Sequence, residues 1–302
     1  MKVVISGIFY PFTMMHYFIR AFKRRDDVEL YTVGPFTGDW IPWNGGMRIP
    51  YKYVYTPDTI LPKNFISQQV KSRLVESFLP WKPDLWLQID AGWHLADRPD
   101  AGIVAHIQTD PHVLKYQYQR PKAYSDYVFC MQTPYMQEGE WFLPYAYDPT
   151  IHYPEPREKI HDACLVGLLY DHRQKLITGL RNKGLDVHYS IGQIYDEYRE
   201  IYNQSKVAIS WSSLQDTPAR VWESMAMGIP TVCNVTPDMP TFFVEGEHYL
   251  GFEDVSDAID KVLLLLSDED FREEIGEAGR RKVKPHTWDL RVQQVLETVK
   301  LL

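Results

Sequence analysis

The chain alternates twice between short β-rich apolar runs and stretches of helical period, and a Pro-rich aperiodic segment separates the two passes. This alternation limits the fold more than any other feature of the sequence, because strands alternating with helices build parallel sheets covered on both faces. The first pass opens with Lys2–Ser6, an amphipathic stretch over Met14–Arg25 and a second apolar run over Val28–Val33. It continues through a predicted helix over Asn64–Leu79 and strands at Asp84–Ile89, Gly102–Ile107 and Tyr127–Met131. Leu143–Arg157 (LPYAYDPTIHYPEPR) is the predicted linker. The second pass predicts strands at Ala163–Leu168, Leu185–Ser190, Lys206–Trp211 and Pro230–Asn234. Helices are predicted at Asp171–Lys183, Ile194–Gln204, Pro218–Met227, Val255–Leu266 and Glu269–Lys282, with a last helix from about Thr287 to the end.

At 302 residues the chain has material for two cores. The expected architecture is α/β, with two Rossmann-like domains facing a central cleft: residues 1–150, completed by a C-terminal helix over 286–302, and residues 151–285. Ligands of open parallel sheets sit beyond the carboxyl ends of the strands, which directs attention to the strand-to-helix junctions. A net charge of −8 weighs against a dedicated nucleic-acid binder. Cys130, Cys164 and Cys233 are far apart and form no C-x-x-C pair, so a reduced, cytoplasmic compartment is expected. The apolar start carries no cleavage-type site and reads as a strand, and no run is long enough to span a bilayer. No metal template, phosphate-binding G-x-x-x-x-G-K or G-x-G-x-x-G occurs.

The most informative stretch is Gln215–Asn234 (QDTPARVWESMAMGIPTVCN). Thr217 is expected to cap a helix whose first residue is Pro218, with its N-terminus directed at the ligand side. Such a terminus, with its free N–H groups and partial positive charge, suits a phosphate. Arg220 and Glu223 share a face of this helix, and Gly228 ends it before the next strand.

Arg220, Glu223, Ala226, Gly228 and Pro230 form R-x-x-E-x-x-A-x-G-x-P, which resembles the donor-site signature of family-4-type glycosyltransferases. The CgeB-like, spore-maturation branch is the closer resemblance. Leu165–Leu180, Ile201–Trp211 and His286–Leu296 resemble further stretches of that branch in the same order, and the N-terminal half resembles it chiefly at Leu143–Pro149. The resemblance implies a GT-B fold and a nucleotide-diphosphate sugar, with a UDP-sugar as the donor class. It also implies transfer with retention and a hexosyltransferase-like activity. It puts Glu223 on the ribose hydroxyls and Arg220 and Arg173 toward the diphosphate, with Gln193 and Ile194 in the loop that touches the base. A glutamate common in the family eight residues before the second is replaced here by Gln215, with Asp216 beside it.

The remaining candidates come from the first half. Gly7 would allow close backbone approach to the diphosphate. Asp110 and His112, after the predicted strand Gly102–Ile107, are the candidate catalytic pair, with His94 and His16 as further imidazoles. Trp40, Trp43, Trp93 and Trp141 could stack on a sugar-like acceptor. No metal or cofactor is expected besides the nucleotide sugar as co-substrate. The acceptor stays open among polysaccharide, protein, lipid head group, small molecule and modified nucleic acid, as does the oligomeric state. A nucleotide-sugar epimerase of the same fold and a non-catalytic sugar-nucleotide binder are the alternatives.

Overall fold

The computed structural model of the protein describes residues 1–11, 13–41, 46–67, 70–90, 92–212 and 214–301. Trp43 and Leu302 lie outside the described residues. The chain divides into two compact units, one of Met1–Pro144 with Trp288–Leu302 and one of Tyr145–Thr287. The first boundary falls six residues before the expected 150, and the last segment leaves the second unit at 287 rather than 285.

The first unit is built on a seven-stranded sheet. Its elements are β1 (Lys2–Ser6), α1 (Met15–Lys23), β2 (Glu29–Pro35), a small antiparallel ribbon of β3 (Trp40–Ile41) and β4 (Met47–Arg48), β5 (Thr59–Leu61), α2 (Ser72–Glu76) and β6 (Leu85–Ile89). β7 (Ile103–Gln108), α3 (Pro111–Leu114), α4 (Gln119–Tyr124), β8 (Tyr127–Cys130) and β9 (Trp141–Phe142) follow. The sheet order is β5-β2-β1-β6-β7-β8-β9 and every pair is parallel. The chain therefore grows outward from β1 in one direction and then from β6 in the other, the doubly wound pattern.

A parallel sheet with both faces covered demands continuous apolar strands. Leu85, Trp86, Leu87 and Ile89 meet that demand, being at most 1% exposed. The expected long helix over Asn64–Leu79 is instead a 3₁₀ segment at Lys63–Ser67 and the short α2. The structure also adds β5, β9 and the β3–β4 ribbon, which are two or three residues each and too short to show a period.

α11 (Trp288–Thr298) belongs to this first unit, as expected of the C-terminal helix, although it begins at Trp288 rather than His286. Val292, Val295 and Leu296 form its buried stripe, and Val299 just after the helix is buried too. Trp288 stacks on Tyr17 of α1 at 5.5 Å and lies 5.1 Å from Phe18, and Arg24 bonds Asp289 at 2.6 Å. Arg291, also buried, donates Nε to the Pro144 carbonyl at 2.8 Å.

The second unit contains β10 (His161–Val166), α5 (Asp171–Asn182), β11 (Val187–Ser190), α6 (Tyr195–Asn203), β12 (Ser205–Ser210), α7 (Ala219–Ala226) and β13 (Thr231–Asn234). It ends with α8 (Met239–Phe242), β14 (Leu250–Phe252), α9 (Val255–Ser267) and α10 (Glu269–Val283). Its parallel sheet has the order β11-β10-β12-β13-β14, so the winding reverses between β10 and β12. One face packs Leu165, Val207 and Val232 against Leu176 and Leu180 of α5 and Val262 and Leu265 of α9. The other packs Cys164, Val166 and Ala208 against Tyr198 and Tyr202 of α6. The three cysteines are buried and form no disulfide among the described residues, and burial pushes the Cys164 thiol up to about 12.

Most of the predicted linker is fixed structure. The side chain of Asn203 accepts from Glu155 N at 2.9 Å and donates to the Tyr153 carbonyl at 3.2 Å. The Arg199 guanidinium lies over the Tyr153 ring at 4.4 Å and pairs with Glu155 at 3.1 Å. Residues 153–155 are thereby strapped to α6, so this part of the Pro-rich stretch is held rather than free.

Candidate functional site

The reversal of winding in the second unit sets the site, because the two strands that separate there leave a crevice at their carboxyl ends. β10 ends in Val166-Gly167-Leu168 and β12 in Ser210-Trp211. Arg173, in the first turn of α5, reaches both ends. Its guanidinium donates to the Leu168 carbonyl at 2.7 Å and, through Nε at 2.7 Å and a second nitrogen, to the Trp211 carbonyl. Arg220, near the start of α7, reaches back to the same place, donating Nε to the Val166 carbonyl at 2.9 Å and approaching Ser210 Oγ at 3.5 Å.

Gly167 stands between the two guanidinium groups. Its φ is +146°, and a Cβ there would overlap the terminal nitrogen of Arg220 and lie 3.8 Å from Nη1 of Arg173. Only glycine combines that backbone with that space. Among the described residues neither arginine makes an ion pair with a carboxylate. Arg173 is 4% exposed, and burial, followed by the charge of Arg220, lowers it to about 10. The Tyr170 ring, 4.8 Å from the Arg173 guanidinium, and Asp216 oppose this only in part. Two cations held together at a strand-end crevice, each anchored by neutral carbonyls, leave positive charge for an anion to neutralise.

The helix of the second arginine differs in detail from expectation. α7 begins at Ala219, and Pro218 (ψ 151°) occupies the cap position with no side-chain cap bond. Thr217 therefore does not cap the helix; its hydroxyl pairs with that of Thr236. The reason lies in the loop ahead of it, which is pinned to the next strand. Asn234 accepts from Ser212 N at 2.7 Å and donates to Ser212 Oγ at 2.8 Å. Asp216, buried, accepts from Leu214 N at 3.0 Å.

Glu223 lies one turn beyond Arg220 and is buried. Arg220 turns to β10 instead of pairing with it, so the two residues serve different places. Among the described residues, His152 Nε2 lies 3.6 Å from Glu223 Oε1. His152 was not singled out in the sequence, and nothing in its Pro-rich surroundings signals it.

Gln193 and Ile194 lead into α6, with Ile194 at its cap position. They are flanked by two left-handed residues, Gly192 (φ 91°) and Tyr195 (φ 52°). A positive φ at a tyrosine is uncommon and costs on the order of 1–3 kcal/mol. The side-chain oxygen of Gln193 is buried with no hydrogen-bond partner. A buried amide oxygen without a partner is uncommon, and here it sits in a loop with strained backbone.

The remaining candidates belong to the first unit. Gly7 follows β1, and the space its Cβ would need is taken by the Ile89 carbonyl and Met15 Sδ, both at 2.9 Å, while a Cβ at Gly34 would overlap the Gly7 carbonyl. Close strand packing alone thus requires glycine there. Asp110 is at the cap position of α3 without a side-chain cap bond, and the ring of His112 lies 5.7 Å from that of Tyr135.

The better-ordered acid at these strand ends is Asp90, directly after β6. Asp90 has φ 65° and accepts hydrogen bonds on Oδ1 from Thr109 Oγ1 at 2.7 Å and Tyr118 OH at 2.8 Å. Tyr118 OH also accepts from Asp110 N at 3.1 Å, which ties the two acids into one cluster. Burial and then the Asp90 charge raise the Tyr118 phenol, keeping it a donor.

His16 and His106 lie in the interior. Both are fully enclosed, and burial lowers each to about 3. His94 is lowered by burial and then by Arg120. Trp93 is core, whereas Trp40 and Trp141 are exposed. Among the described residues no cluster of three His, Cys, Asp or Glu could hold a metal, and no helix is long and apolar enough to cross a membrane.

Comparison with known proteins bears on the fold. Residues 164–297 match the family model described as glycosyl transferase-like. No curated protein matches the sequence. Among solved structures, sucrose-phosphate synthase from Thermosynechococcus elongatus is similar at TM-score 0.65 and 13% identity, covering 99% of this chain and 98% of that one. HepE from Anabaena, solved with UDP and glucose, is similar at TM-score 0.68 and 10% identity, covering the whole of both chains. A putative UDP-N-acetylglucosamine 2-epimerase from Listeria monocytogenes is similar at TM-score 0.59 and 12% identity, covering 99% and 96%. The protein therefore has the GT-B fold, two Rossmann-like α/β units, with a glycosyl transferase-like match over residues 164–297, most of the second unit and nearly all of α11.

Proposed function

We propose that this protein is a hexosyltransferase-like glycosyltransferase that moves a sugar from a nucleotide-diphosphate donor, a UDP-sugar by class, to an acceptor hydroxyl or amine, with retention at the anomeric carbon. One observation carries the reading: Arg173 and Arg220 converge on Gly167 at the winding reversal of the second sheet, with no carboxylate ion-paired to either among the described residues. In the transfer the anomeric C–O bond to the β-phosphate breaks, a bond to the acceptor forms, and the acceptor loses its proton. Negative charge grows on the departing diphosphate. Guanidinium groups already oriented by carbonyls stabilise it without reorganising, and the N-terminus of α7 adds to the field. Arginine suits this better than lysine because its fork matches two phosphate oxygens.

In this reading Glu223 accepts from the ribose hydroxyls and the Gln193–Ile194 loop meets the base. The first unit supplies the acceptor side, with Asp90, Asp110 and His112 as its polar groups. No metal or further cofactor takes part. The UDP and glucose in the HepE structure support a UDP-sugar as donor.

A nucleotide-sugar 2-epimerase is the second reading, favoured by the likeness to the Listeria protein. A thermal-shift screen of nucleotide sugars followed by product analysis separates the two. A transferase releases nucleoside diphosphate in proportion to glycosylated acceptor, or slowly by hydrolysis when no acceptor is present. An epimerase returns an altered sugar without needing an acceptor. Stabilisation by no nucleotide sugar would reject both.

A further inference from the structure

His152 comes from the segment ahead of β10, 71 positions before Glu223, and its ring is set by its own loop. Asp148 begins that loop and is fully buried. Its Oδ1 accepts from Thr150 N at 2.9 Å and Thr150 Oγ1 at 2.7 Å, and its carbonyl accepts from His152 N at 2.8 Å. The Asp148 N–H in turn donates to His152 Nδ1 at 3.1 Å. A ring nitrogen that accepts a backbone hydrogen carries none of its own, so the neutral imidazole bears its hydrogen on Nε2. That nitrogen is the one 3.6 Å from Glu223 Oε1, and the two side chains are only 1% and 9% exposed. Tyr198 of α6 holds the ring from the side, edge-on at 5.8 Å.

We propose that His152 is a positioning residue of the nucleotide site, which fixes the Glu223 carboxylate for the ribose of a nucleoside diphosphate. The inference rests on the reading of Glu223 given above. A carboxylate on a helix can turn about its last torsion, and each orientation offers its oxygens to a diol differently. An N–H of fixed tautomer 3.6 Å from Oε1 selects one orientation of the carboxylate and so sets the angle at which it meets the ribose hydroxyls. The Asp148–Thr150 turn supplies the rigidity, and a shift of a few tenths of an ångström brings the pair to hydrogen-bond length. The effect of His152 is therefore confined to ligands that carry ribose hydroxyls.

Calorimetric titration with UDP and with 2′,3′-dideoxy-UDP tests this. The wild-type protein should prefer UDP by about tenfold or more, as for hydrogen bonds to a charged group. His152→Ala should weaken UDP by about five- to tenfold and leave the dideoxy analogue within about twofold. His152→Asn keeps an acceptor for the Asp148 N–H but withdraws the donor from Glu223, so it should show the same selective loss even if the alanine variant folds poorly. His152→Gln, which carries an N–H near the Nε2 position, should recover most of the UDP affinity.

Equal weakening of both ligands in His152→Asn, or no change in either, overturns the proposal. Glu223→Ala separates the two layers. If it abolishes the preference for UDP while the His152 variants leave it intact, only the role of His152 is wrong. If it leaves the preference intact, or if the wild-type protein does not bind UDP, the reading of Glu223 fails and this inference fails with it.

Discussion

Arg173 and Arg220 arise 47 residues apart, on helices that follow different strands, yet both would touch a side chain at Gly167. Each is anchored by a carbonyl at the end of the strand it did not come from: Arg173 by Trp211 after β12, Arg220 by Val166 of β10. The crossing is a product of topology, since α5 and α7 leave strands that are neighbours exactly where the winding reverses.

Gly167→Ala should be more damaging to ligand binding than to folding. The added Cβ displaces the Arg220 guanidinium, and φ +146° strains any other residue. A loss of about 1–3 kcal/mol in nucleoside diphosphate affinity, with a smaller change for the bare nucleoside, is expected. Parallel titrations of UDP and uridine check it; an equal loss for both would place the damage elsewhere.

On the proposed reading, transfer should proceed without a divalent ion, because the arginine pair and the α7 terminus would take the place of a metal on the diphosphate. Turnover in excess EDTA should equal turnover with added magnesium or manganese. A large drop in EDTA would show that the arginines do not suffice.

In the first unit, Asp90 should matter more than Asp110. Thr109 and Tyr118 hold its carboxylate, and its left-handed backbone is a local cost that the cluster retains. Asp90→Asn should lower kcat by about 10²-fold or more, in the range for a positioned acid or base, with donor KM little changed. If Asp110→Asn has the larger kcat effect, the assignment reverses.

Acid should unfold the protein through its buried histidines. His16 and His106 titrate near 3 when folded against about 6.5 when unfolded, both because of burial. The unfolded chain thus binds the extra protons between these values, and stability falls as pH drops from about 6.5 toward 3. Each histidine contributes about 1.4 kcal/mol per pH unit in that window. His106→Asn keeps a donor for the Gln88 carbonyl, which His106 Nδ1 meets at 3.2 Å. It should remove about one proton from the uptake on urea unfolding at pH 5, and an unchanged uptake would mean that His106 is protonated in the folded state.

The sequence carried the second unit well, because each of its first four strands ends in a clear turn and each of its longer helices has an apolar stripe, whereas the four-residue α8 is too short to show one. β14 escaped notice because three residues around Gly251 carry no period. In the first unit the stretch 64–79 has helical spacing, but it forms a 3₁₀ turn at Lys63–Ser67 and only the short α2 at Ser72–Glu76. The arginines were legible from their place after strands, although their pairing over Gly167 was not, since it depends on sheet order. Thr217 looked like a cap until Asn234 and Thr236 claimed its loop. Asp90 and His152 were hidden for a shared reason. Their roles come from partners distant in sequence, Tyr118 and Glu223, and from backbone geometry that residue type does not announce.

The diphosphate reading of the arginine pair is tested most directly by titrating UDP and uridine into wild-type and Arg220→Ala protein at equal ionic strength. Wild type should bind UDP far more tightly than uridine. Removal of Arg220 should cost UDP about 1.5–3 kcal/mol and leave uridine nearly unchanged, so that the two ligands approach one another. A folded Arg220→Ala protein that binds UDP as tightly as wild type would contradict the account.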